Sequence, residues 1–175
     1  MKTKKLVSAG LLLAVGWLLP LLTGQLQSIG NMFCPMHLPV MLGGFVLGPA
    51  YGLLLGLLTP LSRSLIFGMP MLYPAAIGMA FELAAYGFFC GALYKTFEKY
   101  LKARVYLALV LSMLIGRLVW AAARLVMLGV TQTPLTWKIF VTTEFVNAWP
   151  GIVIQLVLIP KLVQILENAG LFDRK

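Results

Sequence analysis

Metal-binding and titratable side chains are scarce in this chain, and their scarcity excludes several kinds of site. The 175 residues include five acidic residues, one histidine and two cysteines. Cys34 and Cys90 share no metal-site spacing, and a single histidine cannot complete a Cys/His cluster. We therefore expect no metal centre and two free thiols, with a disulfide as the alternative. His37, between Pro35 and Pro39, is expected to support helix-start packing or hydrogen bonding rather than catalysis.

Motifs for catalysis and for nucleotide hydrolysis are also missing. None of the glycine-rich stretches has the Lys-Ser/Thr ending of a phosphate-binding loop, so we do not expect this chain to hydrolyse ATP. The sequence shows no nucleophile-base dyad and no closely spaced pair of carboxylates, which argues against a membrane enzyme. We expect neither catalytic residues nor a cofactor, and any ATP-driven step would need a partner protein.

Polar residues are also scarce, and their scarcity indicates a membrane protein. Hydrophobic residues make up 61% of the chain and charged residues 11%, whereas a soluble domain is roughly half apolar and a quarter charged. A soluble fold of this size could not hide so much apolar surface, but lipid can cover it. Because no polar stretch is long enough to fold separately, we expect a single membrane domain over residues 1–175.

Six apolar segments predict an all-α integral membrane protein with a bundle of six transmembrane helices. The segments cover residues 6–22, 38–47, 51–67, 73–93, 105–128 and 139–159. The second and third segments, with Pro49 between them, could instead form a helical hairpin that only partly crosses the membrane. The first segment lacks a clear small-x-small cleavage site, so we expect a retained spanning helix rather than a signal peptide.

Basic residues flank these segments in a pattern that predicts the topology. The net charge is +9, and lysine and arginine cluster before the first segment, between residues 95 and 104, and after the last segment. The positive-inside rule assigns all three clusters to the cytoplasm, so both termini are predicted to be cytoplasmic. Anionic lipid headgroups are the expected counter-charge, and nucleic acid is not an expected partner.

Arginine and glutamate also occur inside the apolar segments, where a charge must face the bundle interior and find a partner. Arg117 and Arg124 are seven residues apart, so they share one face of a helix at a separation of about 10 Å. The predicted depths of Glu82 and Glu144 allow two ion pairs, Arg117 with Glu82 and Arg124 with Glu144. These pairs could serve only to lock the bundle, or the same groups could also bind a polar solute.

The balance of interior charge favours a solute with an anionic group. Arg63, Arg117 and Arg124 outnumber the two glutamates by one, and the guanidinium fork suits a carboxylate or a phosphate. The residues predicted to contact a solute are Arg63, Arg117, Trp120, Arg124, Glu144 and Asn147, with Glu82 supporting Arg117.

Proline and glycine suggest where the helices bend and pack. Pro150 lies inside the sixth segment and is predicted to bend it. The bend would open a cavity lined by Trp120, Asn147 and Trp149. Glycines at positions 43, 44, 48, 52 and 56 recur at spacings near four. Such spacing lets helix backbones approach closely, either within the chain or at a docking surface for another membrane protein.

The stretch from His37 to Glu82, HLPVMLGGFVLGPAYGLLLGLLTPLSRSLIFGMPMLYPAAIGMAFE, resembles the substrate-binding subunit (S component) of an energy-coupling factor (ECF) vitamin transporter. The resemblance in length and in the number of apolar segments extends over essentially the whole chain. The stretch is similar to the members that take up pantothenate, folate, cobalamin, hydroxymethylpyrimidine and queuosine precursors.

The resemblance implies a multi-pass subunit of the bacterial cell membrane that binds a vitamin-sized solute from outside. The loops after the first and third helices, here Thr23 to Pro35 and Gly68 to Leu72, would cap the solute. The first helices would dock on a membrane scaffold subunit that carries two ATPases, and the subunit would topple to release the solute inside. The family's docking signature is an alanine pair four residues apart on the first helix. Its counterpart here is Gly10 and Ala14, with Ala9 adjacent.

A different class of transporter remains an alternative hypothesis. A stand-alone secondary carrier, driven by an ion gradient, would need an intramembrane carboxylate that binds a proton or sodium, and Glu82 and Glu144 are the candidates. A purely structural interaction subunit would not need a buried charged face.

Overall fold

The computed structural model describes residues 2–22, 32–97, 103–131 and 140–170. Every regular element in these ranges is helical, as expected for apolar segments whose backbone groups must be satisfied without water. Two π-helical turns, Leu72–Ala76 and Thr142–Val146, precede the fourth and sixth helices. The main helices, numbered in chain order, are α1 (Lys2–Leu22), α2 (His37–Leu47), α3 (Pro49–Phe67), α4 (Ile77–Thr96), α5 (Arg104–Thr131) and α6 (Trp149–Asn168).

Five of the helical segments are long and apolar enough to cross a membrane, and α2 is shorter. The spanning candidates are Thr3–Leu21, Pro49–Phe67, Leu72–Thr96, Arg104–Met127 and Trp149–Asn168. The 11 residues of α2 cover about 16 Å, roughly half of a hydrocarbon core of about 30 Å. Within the described residues the prediction of an all-helical chain is therefore confirmed, with five helices long and apolar enough to span and one shorter apolar helix; the bundle of six spanning helices stays a prediction.

The turn between α2 and α3 depends on a glycine. Gly48 has φ 97° and ψ 173°, a conformation that side chains strongly disfavour, and Pro49 follows in the first turn of α3. At the other end of α3, Gly68 has φ 71°, and its N–H donates to the Ser64 carbonyl at 2.9 Å. Both ends of α3 are thus set by local sequence.

Contacts between the helices show an alternating direction. A Cβ placed on Gly43 would meet Leu12, and one placed on Gly16 would meet Pro39, so α1 and α2 are antiparallel. The rings of Phe45 and Tyr94 pack edge to face with their centroids 5.4 Å apart. Both residues lie near the ends of their helices, so α2 and α4 run in the same direction.

The remaining helices follow the same alternation. The Tyr73 hydroxyl, just before α4, donates to the Met127 carbonyl near the end of α5 at 3.2 Å. Arg104 at the start of α5 pairs with Glu167 at the end of α6. We call the end where α1, α3 and α5 finish the distal end, and the end that carries Lys95 and Arg104 the basic end.

Glycines bring α2, α3 and α4 into backbone contact. A Cβ built on Gly44 would lie 2.2 Å from the Gly87 carbonyl oxygen, and one built on Gly52 would lie at the same distance from that atom. One built on Gly56 would lie 2.3 Å from the backbone at Leu83. The predicted small-residue spacing therefore serves packing within the chain at these positions, because no side chain fits between the backbones.

The sixth helix begins later than the sequence predicted, because the helical path is interrupted directly before Pro150, where the sequence predicted a bend. The chain leaves helical hydrogen bonding after the π-helical turn Thr142–Val146, and α6 starts at Trp149 with Pro150 in its first turn. A proline in the first turn of a helix removes no intrahelical hydrogen bond, so Pro150 is compatible with the start of α6.

The apolar core of the bundle centres on α4. Leu83, Tyr86 and Cys90 on α4 are at most 1% exposed, and α4 packs against α2, α3 and α5. By contrast, α1 leaves much of its surface uncovered, including Leu6, Val7, Leu11 and Leu18, each more than half exposed. Lipid is the natural cover for this surface in a membrane protein.

Candidate functional site

The distal half of α5 carries two arginines against aromatic rings. The Arg117 guanidinium carbon lies 4.7 Å from the centroid of the Phe145 ring, and that of Arg124 lies 5.6 Å from the Trp120 ring. The Phe140 ring contacts both of these aromatic rings, with its centroid 6.3 Å from that of Trp120 and 6.0 Å from that of Phe145. We call these five residues the distal cluster. It brings together three of the predicted solute-contacting residues, Arg117, Trp120 and Arg124.

The cluster lies against α4 at a position without a side chain. A Cβ on Gly78 would lie 3.7 Å from the Trp120 indole nitrogen and 3.9 Å from Cδ of Arg124. Nε of Arg124 is buried and has no hydrogen-bond partner among the described residues. Leaving such a donor unsatisfied costs about 1–3 kcal/mol or more, so an acceptor on a bound solute would be strongly favoured there.

Glu82 is paired differently from the prediction. Its carboxylate accepts a hydrogen bond from the Tyr86 hydroxyl at 2.6 Å, and Nε2 of His37 lies 3.8 Å from the same oxygen. Between the described side chains of Arg117 and Glu82 no ion pair forms, so the predicted Arg117–Glu82 pair is wrong. The reason is local: Tyr86 is one turn beyond Glu82 on α4, and the start of α2 places His37 beside both.

Arg63 is buried, with 2% of its surface exposed, but its contacts join two helices. Nη1 donates to the Trp17 carbonyl on α1 at 2.7 Å, and the guanidinium lies 5.2 Å from the Phe67 ring. The Trp17 indole in turn donates to the Ser62 hydroxyl at 3.0 Å. These bonds attach the distal end of α1 to α3, and contact of Arg63 with a solute stays a prediction.

The other predicted site residues precede α6. Glu144 lies in the turn Thr142–Val146, but its side chain, and with it the predicted Arg124–Glu144 pair, is outside the described residues. Asn147 is exposed, and Trp149 is 61% exposed. Whether Asn147 and Trp149 line a solute cavity with Trp120 stays a prediction.

The two predicted capping loops are described in part. Residues 23–31 of the first loop lie outside the described residues. Its last residues pack on α6, because a Cβ on Gly151 would lie 2.8–2.9 Å from the carbonyl oxygens of Phe33 and Met32. The second loop, Gly68 to Leu72, leads into Tyr73, whose hydroxyl bonds α5 near the distal cluster. Both loops thus belong to the distal end.

Sequence reasoning missed four residues at this end. Phe140 and Phe145 were not singled out, although aromatic rings are common partners for buried guanidinium groups. Tyr86 could have been found from its spacing of four from Glu82 on a predicted helix. His37 was assigned to helix-start packing or hydrogen bonding and was not placed at the site, but it lies beside Glu82 and 5.3 Å, centroid to centroid, from the Tyr86 ring.

The predicted docking residues on α1 differ in their surroundings. Ala9 is partly buried and packs against the core, and Ala14 is also partly buried. Gly10 is exposed, and a Cβ placed on it would meet nothing within 4 Å. Gly10 therefore has room for an external partner, and the docking role of the three stays a prediction.

Comparison with known proteins decides the family. The sequence model of the ECF transporter, substrate-specific component family matches residues 4–163, almost the whole chain. The chain belongs to this family. Searches of curated proteins and of solved structures gave no significant match.

The family shows what kind of protein this S component is. S components are substrate-binding subunits of transporters and are not enzymes. Membership implies a small-molecule substrate of the vitamin or micronutrient kind, and association with ECF scaffold and ATPase subunits. The apolar helices agree with a multi-pass membrane protein.

Proposed function

We propose that this S component captures a vitamin-sized, water-soluble nutrient from outside the cell, for uptake driven by two partner ATPases. The family match over residues 4–163 is the observation that carries this proposal. The distal cluster supports it, because cationic and aromatic groups converge there inside the bundle. A bundle without a polar solute would have no evident use for them there.

The chemistry of the cluster favours an anionic solute with a flat or apolar portion. Among the described residues Nε of Arg124 is a buried donor without an acceptor, and Trp120 and Phe140 offer ring faces beside it. Pantothenate, folate, cobalamin, hydroxymethylpyrimidine and queuosine precursors are the solute classes that the resemblance suggests. Arg63, Glu144 and Asn147 remain proposed contacts, and Glu82 remains proposed as a supporting residue, here through Tyr86 and His37.

The distal end faces outward in this proposal. The basic end, with Lys95 and Arg104 and with the start of α1, then lies in the cytoplasm, where basic residues are enriched. The whole of residues 1–175 forms one membrane domain. Docking on the scaffold uses the exposed side of α1 around Ala9, Gly10 and Ala14.

Two measurements test the proposal. Mass spectrometry of small molecules released from the purified, denatured protein should find one of the five solute classes. In liposomes, uptake of that solute should require the scaffold subunit, both ATPases and ATP. Uptake by the purified chain alone, driven by a proton or sodium gradient, would instead show a stand-alone secondary carrier.

A further inference from the structure

A second polar group lies at the distal end, outside the distal cluster. His37 opens α2 and is 7% exposed, and it is the only histidine in the chain. Its Nε2 faces Glu82 at 3.8 Å, whereas Nδ1 is buried without a hydrogen-bond partner among the described residues. We propose that Nδ1 of His37 accepts a hydrogen bond from an O–H or N–H group of the solute and selects solutes that carry one. This inference rests on the proposed function.

The surroundings of the ring determine which nitrogen is the acceptor. The Glu82 carboxylate accepts the Tyr86 hydroxyl and presents only lone pairs to Nε2. A neutral imidazole carries one proton, and the nearby carboxylate draws that proton to Nε2. Nδ1 is then a lone-pair acceptor. The buried acceptor needs a donor, and no described group of the protein supplies it.

The position of His37 places this acceptor beside the proposed solute site. Tyr86 lies against the His37 ring and also packs on Gly116, where a Cβ would lie 2.1 Å from the tyrosine ring. Gly116 directly precedes Arg117 of the distal cluster. The residues just before His37 contact the start of α6 at Gly151. His37 therefore follows residues that contact the start of α6, and it lies one aromatic ring away from Gly116, which shares a face of α5 with Trp120 of the distal cluster.

Together with Arg124, the acceptor defines a class of solute. Arg124 offers a buried cationic donor, and Nδ1 of His37 is the proposed buried acceptor. A matching solute carries an anionic group together with a hydroxyl or an N–H. Pantothenate has a carboxylate, hydroxyls and an amide N–H, so it is the first probe.

Three substitutions of His37 distinguish the roles of its two ring nitrogens in solute binding. His37→Asn keeps a carbonyl oxygen near the place of Nδ1, His37→Gln places its amide near Nε2 and Glu82, and His37→Phe keeps only the ring against Tyr86. The experiment is isothermal titration of each purified chain in detergent with pantothenate. We expect His37→Asn to bind within about threefold of the wild type, and the other two to lose about tenfold or more. Melting temperatures in the absence of pantothenate identify any variant that fails to fold.

The outcomes are distinguishable. Better binding by His37→Gln than by His37→Asn would mean that the ring serves to pair with Glu82. Equal binding by all variants would mean that His37 has no role in solute binding. Either result overturns the inference while the proposed function stands. If pantothenate does not bind the wild type, the other four solute classes are titrated in the same way. Failure of all five to bind the wild type overturns the proposed function and this inference with it.

A measurement without any solute provides an independent check. Because the chain has one histidine, nitrogen-15 histidine labelling reports on this ring alone. We expect an unprotonated Nδ1 and a protonated Nε2 in the solute-free protein. A protonated Nδ1, in either the other tautomer or the imidazolium, overturns the inference even if every variant folds poorly.

Discussion

The three interior arginines pack against different partners. Arg63 donates to a backbone carbonyl of another helix, whereas Arg117 and Arg124 lie over the faces of aromatic rings. Arg124 also keeps a buried donor for which the described residues supply no acceptor. These differences at the scale of single residues predict different consequences for substitution.

Arg124→Ala should weaken solute binding more than it lowers the yield of folded protein. The substitution removes the unsatisfied donor and the cation above Trp120, but it removes no described hydrogen bond between helices. We expect a loss of affinity of about tenfold or more, measured by calorimetry with the solute that co-purifies with the wild type. Equal affinity in the variant would reject this role.

Arg63→Ala should instead destabilise the fold. It breaks the hydrogen bond to the Trp17 carbonyl and leaves that end of α1 less firmly attached to α3. A hydrogen bond from a charged donor contributes about 1.5–3 kcal/mol, so the melting temperature in detergent should fall clearly below that of Arg124→Ala. If Arg63→Ala keeps the wild-type melting temperature but loses affinity, Arg63 is a solute contact as the sequence predicted.

At the scale of helices, the close packing of α2, α3 and α4 depends on glycine. Gly87 is approached by both Gly44 and Gly52, so its α4 backbone is shared by two neighbours. Direct backbone contact of this kind can bind helices firmly in lipid, where apolar side chains gain nothing from leaving the surrounding hydrocarbon. The three helices should therefore behave as one rigid unit.

Gly87→Ala should disrupt this unit. The new Cβ would lie 2.2 Å from the Gly52 carbonyl oxygen, so a helix must shift, at a cost of about 1–3 kcal/mol or more. Gly10→Ala is the matched control, because open space surrounds that position. We expect Gly87→Ala to lower the melting temperature and Gly10→Ala to leave it unchanged. Equal melting temperatures for the two variants would contradict the packing argument.

At the scale of the whole molecule, alternating helix directions place the start of α1 and the end of α6 at the basic end. Because basic residues favour the cytoplasm, this end should face inward. The prediction can be tested with single cysteines in a Cys34→Ala, Cys90→Ala background. A membrane-impermeant maleimide should label Leu72→Cys in intact cells and Lys95→Cys only after lysis. The reverse pattern would show that the bundle is inverted and would place the distal cluster in the cytoplasm.

Much of the architecture could be predicted from the sequence, whereas the partners of the site residues could not. Long apolar segments predict helices in lipid whatever surrounds them, and the segments 51–67, 73–93 and 105–128 lie close to helices of the structure. The spacing of Arg117 and Arg124 predicted a shared face, and both lie in the distal cluster. The Arg117–Glu82 pair was wrong because matching depth says nothing about how each helix is rotated.

The sequence by itself determined a helical membrane chain, its family and the need for buried arginines to face protein. Those conclusions follow from transfer free energies and backbone hydrogen bonding, which depend on local composition. Only the tertiary structure decided that Glu82 meets Tyr86 and His37, that Arg63 holds α1, and that α6 starts at Trp149. Such pairings depend on the rotation and relative height of neighbouring helices, and these are set by packing across the whole bundle.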